Sequence, residues 1–170
     1  MPDDAEVRED SVGNEETLYR SIWLRKECFF LDEEGVLRVS AEAFADRNKQ
    51  PSVFRKHLCD EPPYSNPPRL SPDDAVVSLI AGKIREASPI QHQSGKNPVV
   101  SHVIDIKPDT SGGQHRSHAV VYADPDFPNS NAFAKLKLRL AQLVEDWAIQ
   151  PEADFIEQLK IMAGLNHPAR

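Results

Sequence analysis

Apolar runs near the start of the chain have the length and spacing of β-strands. The run from Leu18 to Leu24 is aromatic and branched, which is typical of a strand. Two further runs, 28–31 and 36–39, flank a polar segment that ends in Gly35. Because a glycine-containing turn between two apolar runs is a hairpin signal, this region predicts a β-hairpin after the first strand.

Three later segments have the periodicity of helices. Ser71 stands before a proline and two acidic residues, which is a common start of a helix, and a helix is predicted over 72–87. Apolar residues recurring every three or four positions predict a second helix over 131–147, although part of this segment also alternates as a strand does. A third helix is predicted over 151–163, with Gly164 as its C-cap.

Two segments rich in valine and isoleucine, 98–107 and 117–123, predict a second pair of strands. The polar loop between them makes an antiparallel hairpin the simplest connection. If Ile104 pairs near His118, the alternation of side chains along a strand places His102 and His118 on the same face of the sheet.

The order of these elements predicts the domain organisation. Residues 1–16 are acidic and hold no large apolar side chain beyond Val7 and Val12, so they are expected to form a disordered tail. Residues 17–170 have an ordinary length for a single α+β domain, with a mostly antiparallel sheet built from 18–39 and 98–123 and packed by about three helices. Segment 60–70 holds four prolines and is expected to be an extended connector.

Charge and composition argue against several classes of partner. The net charge is −7 and the pI is near 5.3, which opposes non-specific attraction to nucleic acid or anionic lipid. The apolar runs are far shorter than the roughly 20 residues that span a bilayer. The first ten residues carry five acidic side chains, unlike a secretory signal. Cys28 and Cys59 lack metal-ligand spacing and are expected to be buried thiols. A soluble, acidic, cytoplasmic protein without a cofactor is therefore expected, with another protein as its partner.

Histidines are the first candidates for chemistry. His115 and His118 are three residues apart, and His102 lies on the partner strand. Three imidazoles are able to bind zinc, so His102, His115 and His118 are the candidate metal ligands. No cysteine or carboxylate lies at a customary spacing from them, and structural histidines in a sheet remain the preferred interpretation.

Arg20 is the second candidate, because an arginine between apolar neighbours must pair with an acid or face water. An arginine on a first strand, a serine on a later strand and a late glutamate occur in this order in one class of ADP-ribosyltransferases. The hydroxyl-rich and loop motifs of those enzymes are missing here. A structural ion pair is the alternative interpretation of Arg20.

Four short motifs resemble those of an uncharacterised group of small bacterial proteins. They are Leu18-Tyr19-Arg20-x-Ile22, Ser40-x-x-Ala43-Phe44, Ser52-Val53 and Ser117-His118-Ala119-x-Val121. The resemblance implies a small cytosolic bacterial domain, associated with defence or mobile-element loci, and transfers no catalytic residue.

Two hypotheses for function follow. The first is a non-catalytic binding or assembly module of a bacterial system, since no recognised catalytic motif is found in the sequence. The second is a small effector enzyme that acts on a nucleotide or nucleic acid, with ADP-ribosyltransferase-like chemistry as one possibility. Its catalytic candidates are Arg20, His102 and His118, and their convergence in one concave pocket is the observation that separates the two hypotheses.

Overall fold

The computed structural model describes residues 11–59, 69 and 71–164. The strands are β1 (Thr17–Ile22), β2 (Phe29–Leu31), β3 (Leu37–Val39), β4 (Ser52–Arg55), β5 (Ala75–Ile80), β6 (Ile90–His92), β7 (Val100–Pro108), β8 (His118–Asp124) and β9 (Asp146–Ile149). The α-helices are α1 (Lys56–Cys59), α2 (Ala81–Glu86), α3 (Ser130–Gln142) and α4 (Ala153–Met162). Single 3-10 turns occur at Lys26–Cys28, Ala41–Phe44 and Ser111–Gly113.

Seven of these strands form one antiparallel sheet, in the order β6-β7-β8-β4-β1-β5-β9. Strands β2 and β3 form a separate hairpin, as predicted from the turn at Gly35. The predicted α+β class and the mostly antiparallel sheet are confirmed.

Alternation along the strands divides the sheet into two faces. One face carries Leu18, Val53 and Val121, which pack against Leu136 and Leu140 of α3 in the main core. The other face carries a smaller cluster formed by Tyr19, Phe54, Cys59 and Val76. The central strands are therefore covered on both sides, which explains why β5 is almost entirely apolar.

The helix predicted over 72–87 is wrong for most of its length. Ala75–Ile80 is strand β5, paired with both β1 and β9, and only Ala81–Glu86 is helical. Ser71 and Asp74 form a turn, in which the Ser71 amide donates to Asp74 Oδ2 at 3.1 Å. A continuous apolar run fits a strand buried on both faces as well as it fits a helix, and the two neighbouring strands decide the outcome.

The helix predicted over 131–147 is confirmed up to Gln142, and its N-cap is Asn129, whose side chain accepts from the Ala132 amide. Residues beyond it turn into β9, where Trp147 pairs opposite Val77. The last predicted helix is present as Ala153–Met162, and Gly164 follows with φ +73°.

The predicted register of the β7–β8 hairpin is wrong. Ile104 pairs with Ala123, while His118 lies beyond the end of the ladder near Asp109. This register puts His102 on the core face and His118 on the opposite face. The reason is that the ladder begins at the Pro108–Ala119 pair, an offset that the loop sequence did not specify.

Residues 11–16 belong to the predicted disordered tail, but the structure shows them packed on the domain. Val12 is buried in the main core, and the Arg85 guanidinium donates to its carbonyl oxygen at 2.6 Å. Glu16 accepts from the fully buried Arg55 at 2.8 Å. Residues 1–10 and most of segment 60–70 lie outside the described residues.

No helix within the described ranges has the length and apolar content required to cross a membrane.

Candidate functional site

Arg20 joins three parts of the domain through hydrogen bonds. Its Nε donates to the carbonyl oxygen of Ala43 at 3.0 Å, and its Nη1 donates to the carbonyl oxygen of Ser52 at 2.8 Å. The same Nη1 lies 3.0 Å from Asp46 Oδ2. The guanidinium thus holds β1 to the 3-10 turn at Ala41–Phe44 and to the start of β4. The ion pair with an acid that the sequence suggested is present.

A small cavity of about 380 Å³, lined by both polar and apolar side chains, adjoins Arg20. Asp74 lies in its wall and is buried; its Oδ2 accepts from Ser21 Oγ at 2.8 Å. Asp74 Oδ1 has no hydrogen-bond partner in the described part of the chain. Cys28 lines the same cavity, and burial raises the pKa of its thiol, against the opposing effect of Arg25.

The two strand histidines are both buried, on opposite faces of the sheet. His102 Nδ1 lies 2.6 Å from the carbonyl oxygen of Pro125, and its ring packs 4.7 Å from the Phe127 ring. His118 Nδ1 lies 2.6 Å from the carbonyl oxygen of Asp109, and its Nε2 lies 3.1 Å from Ser52 Oγ. Each ring is therefore held by hydrogen bonds within the fold.

The structure does not bring all three catalytic candidates together, although Arg20 and His118 both contact Ser52, through its carbonyl oxygen and its Oγ respectively. Arg20 and His102 share the core face but lie on β1 and β7, which β4 and β8 separate, and His118 is on the other face. His115 lies in the loop, with Nδ1 2.8 Å from Ser117 Oγ. Among the residues described, no group of three or more histidine, cysteine or acidic side chains is placed to hold a metal ion. Among the described residues, the three catalytic candidates of the enzyme hypothesis therefore do not share one pocket.

A large apolar groove lies elsewhere, between the β2–β3 hairpin and the end of α3. It has a volume of about 760 Å³. Phe30, Val36 and Leu138 stand on its walls and are 48%, 44% and 54% exposed. Val144 and Trp147 also line it and are partly buried against the main core. We call this concavity the apolar groove.

Local sequence explains why these side chains remain exposed. In the hairpin, Phe29 points inward and stacks on Trp147 with ring centroids 6.2 Å apart, so alternation turns Phe30 outward. In α3, Leu136 and Leu140 are buried, and Leu138 between them falls on the outer side. The sequence shows that Leu138 does not fit the helical repeat of the buried apolar residues in α3. The sequence does not show that Leu138 faces the β2–β3 hairpin across the groove.

The rim of the apolar groove is acidic. Three carboxylates line it, those of Asp32, Glu145 and Asp146, against the guanidinium of Arg38. Asp32 is paired with Arg38, and Glu145 is paired with Lys83. The hydrogen bond from the Val36 amide is the main cause that lowers the pKa of the Asp32 carboxyl, and Arg38 adds to the effect. Asp32 therefore keeps its negative charge at neutral pH.

No family model, curated protein or solved structure matches this chain.

Proposed function

We propose that this protein is a non-catalytic binding module whose apolar groove holds a short segment of another protein. The segment carries apolar residues flanked by lysine or arginine. The observation that carries the proposal is the exposure of Phe30, Val36 and Leu138 around one concavity. The resemblance to small bacterial proteins extends the proposal to an assembly role in a bacterial system, as in defence or mobile-element loci.

Apolar exposure supports the proposal because water is a poor solvent for these side chains. Covering apolar surface is favourable by about 25 cal/mol per Å². Single exposed apolar residues are common, but several around one groove are typical of interaction sites. The groove also has an aromatic floor, since Trp147 stacks on Phe29, which in turn packs on Phe155 at 5.2 Å. A partner segment thus meets a preformed surface.

The charge of the rim supports a basic partner. The acidic residues lie at both ends of β3: Asp32 belongs to the hairpin turn, and Asp146 adjoins Trp147 near the Phe29–Val39 pair. Basic residues at the two ends of a bound segment are attracted to these carboxylates. This attraction favours one register of the segment along the groove and speeds its association. A segment with acidic flanks is disfavoured by the same charges.

Peptide display tests the proposal with a matched pair of variants. Leu138 and Ile161 are both exposed helical residues, at 54% and 63%, but only Leu138 lines the groove. Random peptides are selected on the wild-type chain, Leu138→Asp and Ile161→Asp. We expect the wild type and Ile161→Asp to enrich the same apolar peptides with basic flanks. Leu138→Asp is expected to bind those peptides at least about tenfold more weakly, a loss of about 1.4 kcal/mol.

Salt provides the second arm of the test. Binding of the enriched peptides is expected to weaken as the salt concentration rises, because rim charges are screened. Enrichment of acidic peptides, or equal binding to Leu138→Asp and the wild type, contradicts the proposal.

A further inference from the structure

The outer edge of β3 borders the apolar groove along its whole length. Residues 36–41 all line the groove, as do Leu138 and Ala141 on the opposite wall. The β2–β3 sheet has two strands, so β3 has β2 on one side and no second strand among the described residues on the other. An edge of this kind offers main-chain donors and acceptors to a further strand.

The register of the hairpin shows which groups face the groove. The Ser40 amide donates to the Cys28 carbonyl and the Asp32 amide donates to the Val36 carbonyl, both at 2.9 Å. Hydrogen-bonded and non-hydrogen-bonded pairs alternate along an antiparallel ladder. The next hydrogen-bonded pair, between Cys28–Ser40 and Asp32–Val36, is therefore Phe30 with Arg38.

The intervening residues of β3, Leu37 and Val39, consequently direct their N–H and C=O groups away from β2. These groups point to the side on which the groove lies. They are two residues apart, which is the spacing at which an added strand exchanges hydrogen bonds.

We propose that the partner segment binds in extended conformation as a third strand on the edge of β3. This inference rests on the proposed function, since it states how the same groove holds its partner. The side chains of an added strand alternate between the two faces of the enlarged sheet, and those on one face meet Leu138 and Val144. Lysine or arginine at each end lies near Asp146 at one end of β3 and near Asp32, which is also paired with Arg38, at the other. The recognised pattern is therefore a basic residue, a few residues with apolar side chains at alternate positions, and a second basic residue.

Backbone methylation tests this inference without altering the protein. The probe is the synthetic peptide Lys-Val-Thr-Val-Thr-Lys, together with two forms N-methylated at one or the other set of alternate residues. In an added strand only one set of amides faces β3. We expect the unmethylated peptide and one methylated form to bind, and the other form to lose at least about tenfold in affinity.

Amide hydrogen exchange measured by NMR gives an independent readout. The Leu37 and Val39 amides are expected to become protected when the unmethylated peptide is added. The Arg38 amide, already bonded to β2, serves as the internal control and is expected to change little. Equal binding of both methylated forms, or binding without protection of Leu37 and Val39, overturns the added strand.

Failure of this inference is distinguishable from failure of the proposed function. If display yields peptides that depend on Leu138 but Leu37 and Val39 stay unprotected, the groove binds a segment in another conformation and the added strand is wrong. If the unmethylated peptide does not bind, the added strand is also overturned, and the display result decides the proposed function separately. If display yields no peptides that depend on Leu138 and the synthetic peptide also fails to bind, both the proposed function and the added strand are overturned.

Discussion

Replacing Val12 with alanine tests whether residues 11–16 belong to the folded domain. Val12 is 4% exposed and packs in the main core. The change removes two methyl groups, worth about 0.8 kcal/mol each in transfer from water, and leaves a small cavity that adds to the loss. We therefore expect a loss of ~2–3 kcal/mol in the free energy of unfolding. For a domain of this size, that corresponds to a melting temperature lower by roughly 4–12 °C.

Val103→Ala is the matched control, because Val103 is 55% exposed and loses the same two methyl groups. Its effect is expected to stay within about 0.5 kcal/mol. Both variants are measured by urea denaturation and by thermal unfolding of the full chain. If Val12→Ala is as mild as Val103→Ala, the segment does not hold its place in solution and the disordered tail predicted from the sequence extends to Glu16.

Two further predictions concern charged residues. Arg20→Lys keeps the positive charge but loses the planar guanidinium that donates to Ala43, Ser52 and Asp46; we expect a loss of about 2–3 kcal/mol in unfolding free energy. An unchanged denaturant midpoint would show that Arg20 has no structural role. Burial acts to raise the pKa of the Asp105 carboxyl, but hydrogen bonds from Arg85 and the Ile106 amide outweigh it and hold that pKa below its ordinary value. Because the pKa is lower in the folded state, the ionised Asp105 carboxylate contributes its full stabilisation above the unfolded-state pKa, which is about 3.9. This contribution is lost as the pH falls through the pKa of the folded state. Stability measured by chemical denaturation should thus fall on acidification below about pH 4, and Asp105→Asn should flatten that slope; an unaltered slope contradicts the assignment.

Local sequence determined the elements whose signals lie within a few residues of one another. The β2–β3 hairpin was predictable because Gly35, with φ +77°, sits in a turn between two apolar runs. Helices α3 and α4 were predictable because their apolar residues follow a helical period. The α+β class followed from the presence of both predicted strands and predicted helices in separate segments of the chain.

Tertiary structure decided the features that depend on distant neighbours. The apolar run at 75–80 suits a helix or a buried strand, and pairing with β1 and β9 makes it a strand. The faces of His102 and His118 depend on a register that a one-residue slip reverses, so the sequence left them open.

The apolar groove is the clearest case. Phe30 and Leu138 are each visible in the sequence as apolar residues on an outer face, yet they are 108 positions apart. Only the packing of the hairpin beside the end of α3 places them around one concavity. Burial depends on which surfaces meet, and that property belongs to the folded chain rather than to any local pattern.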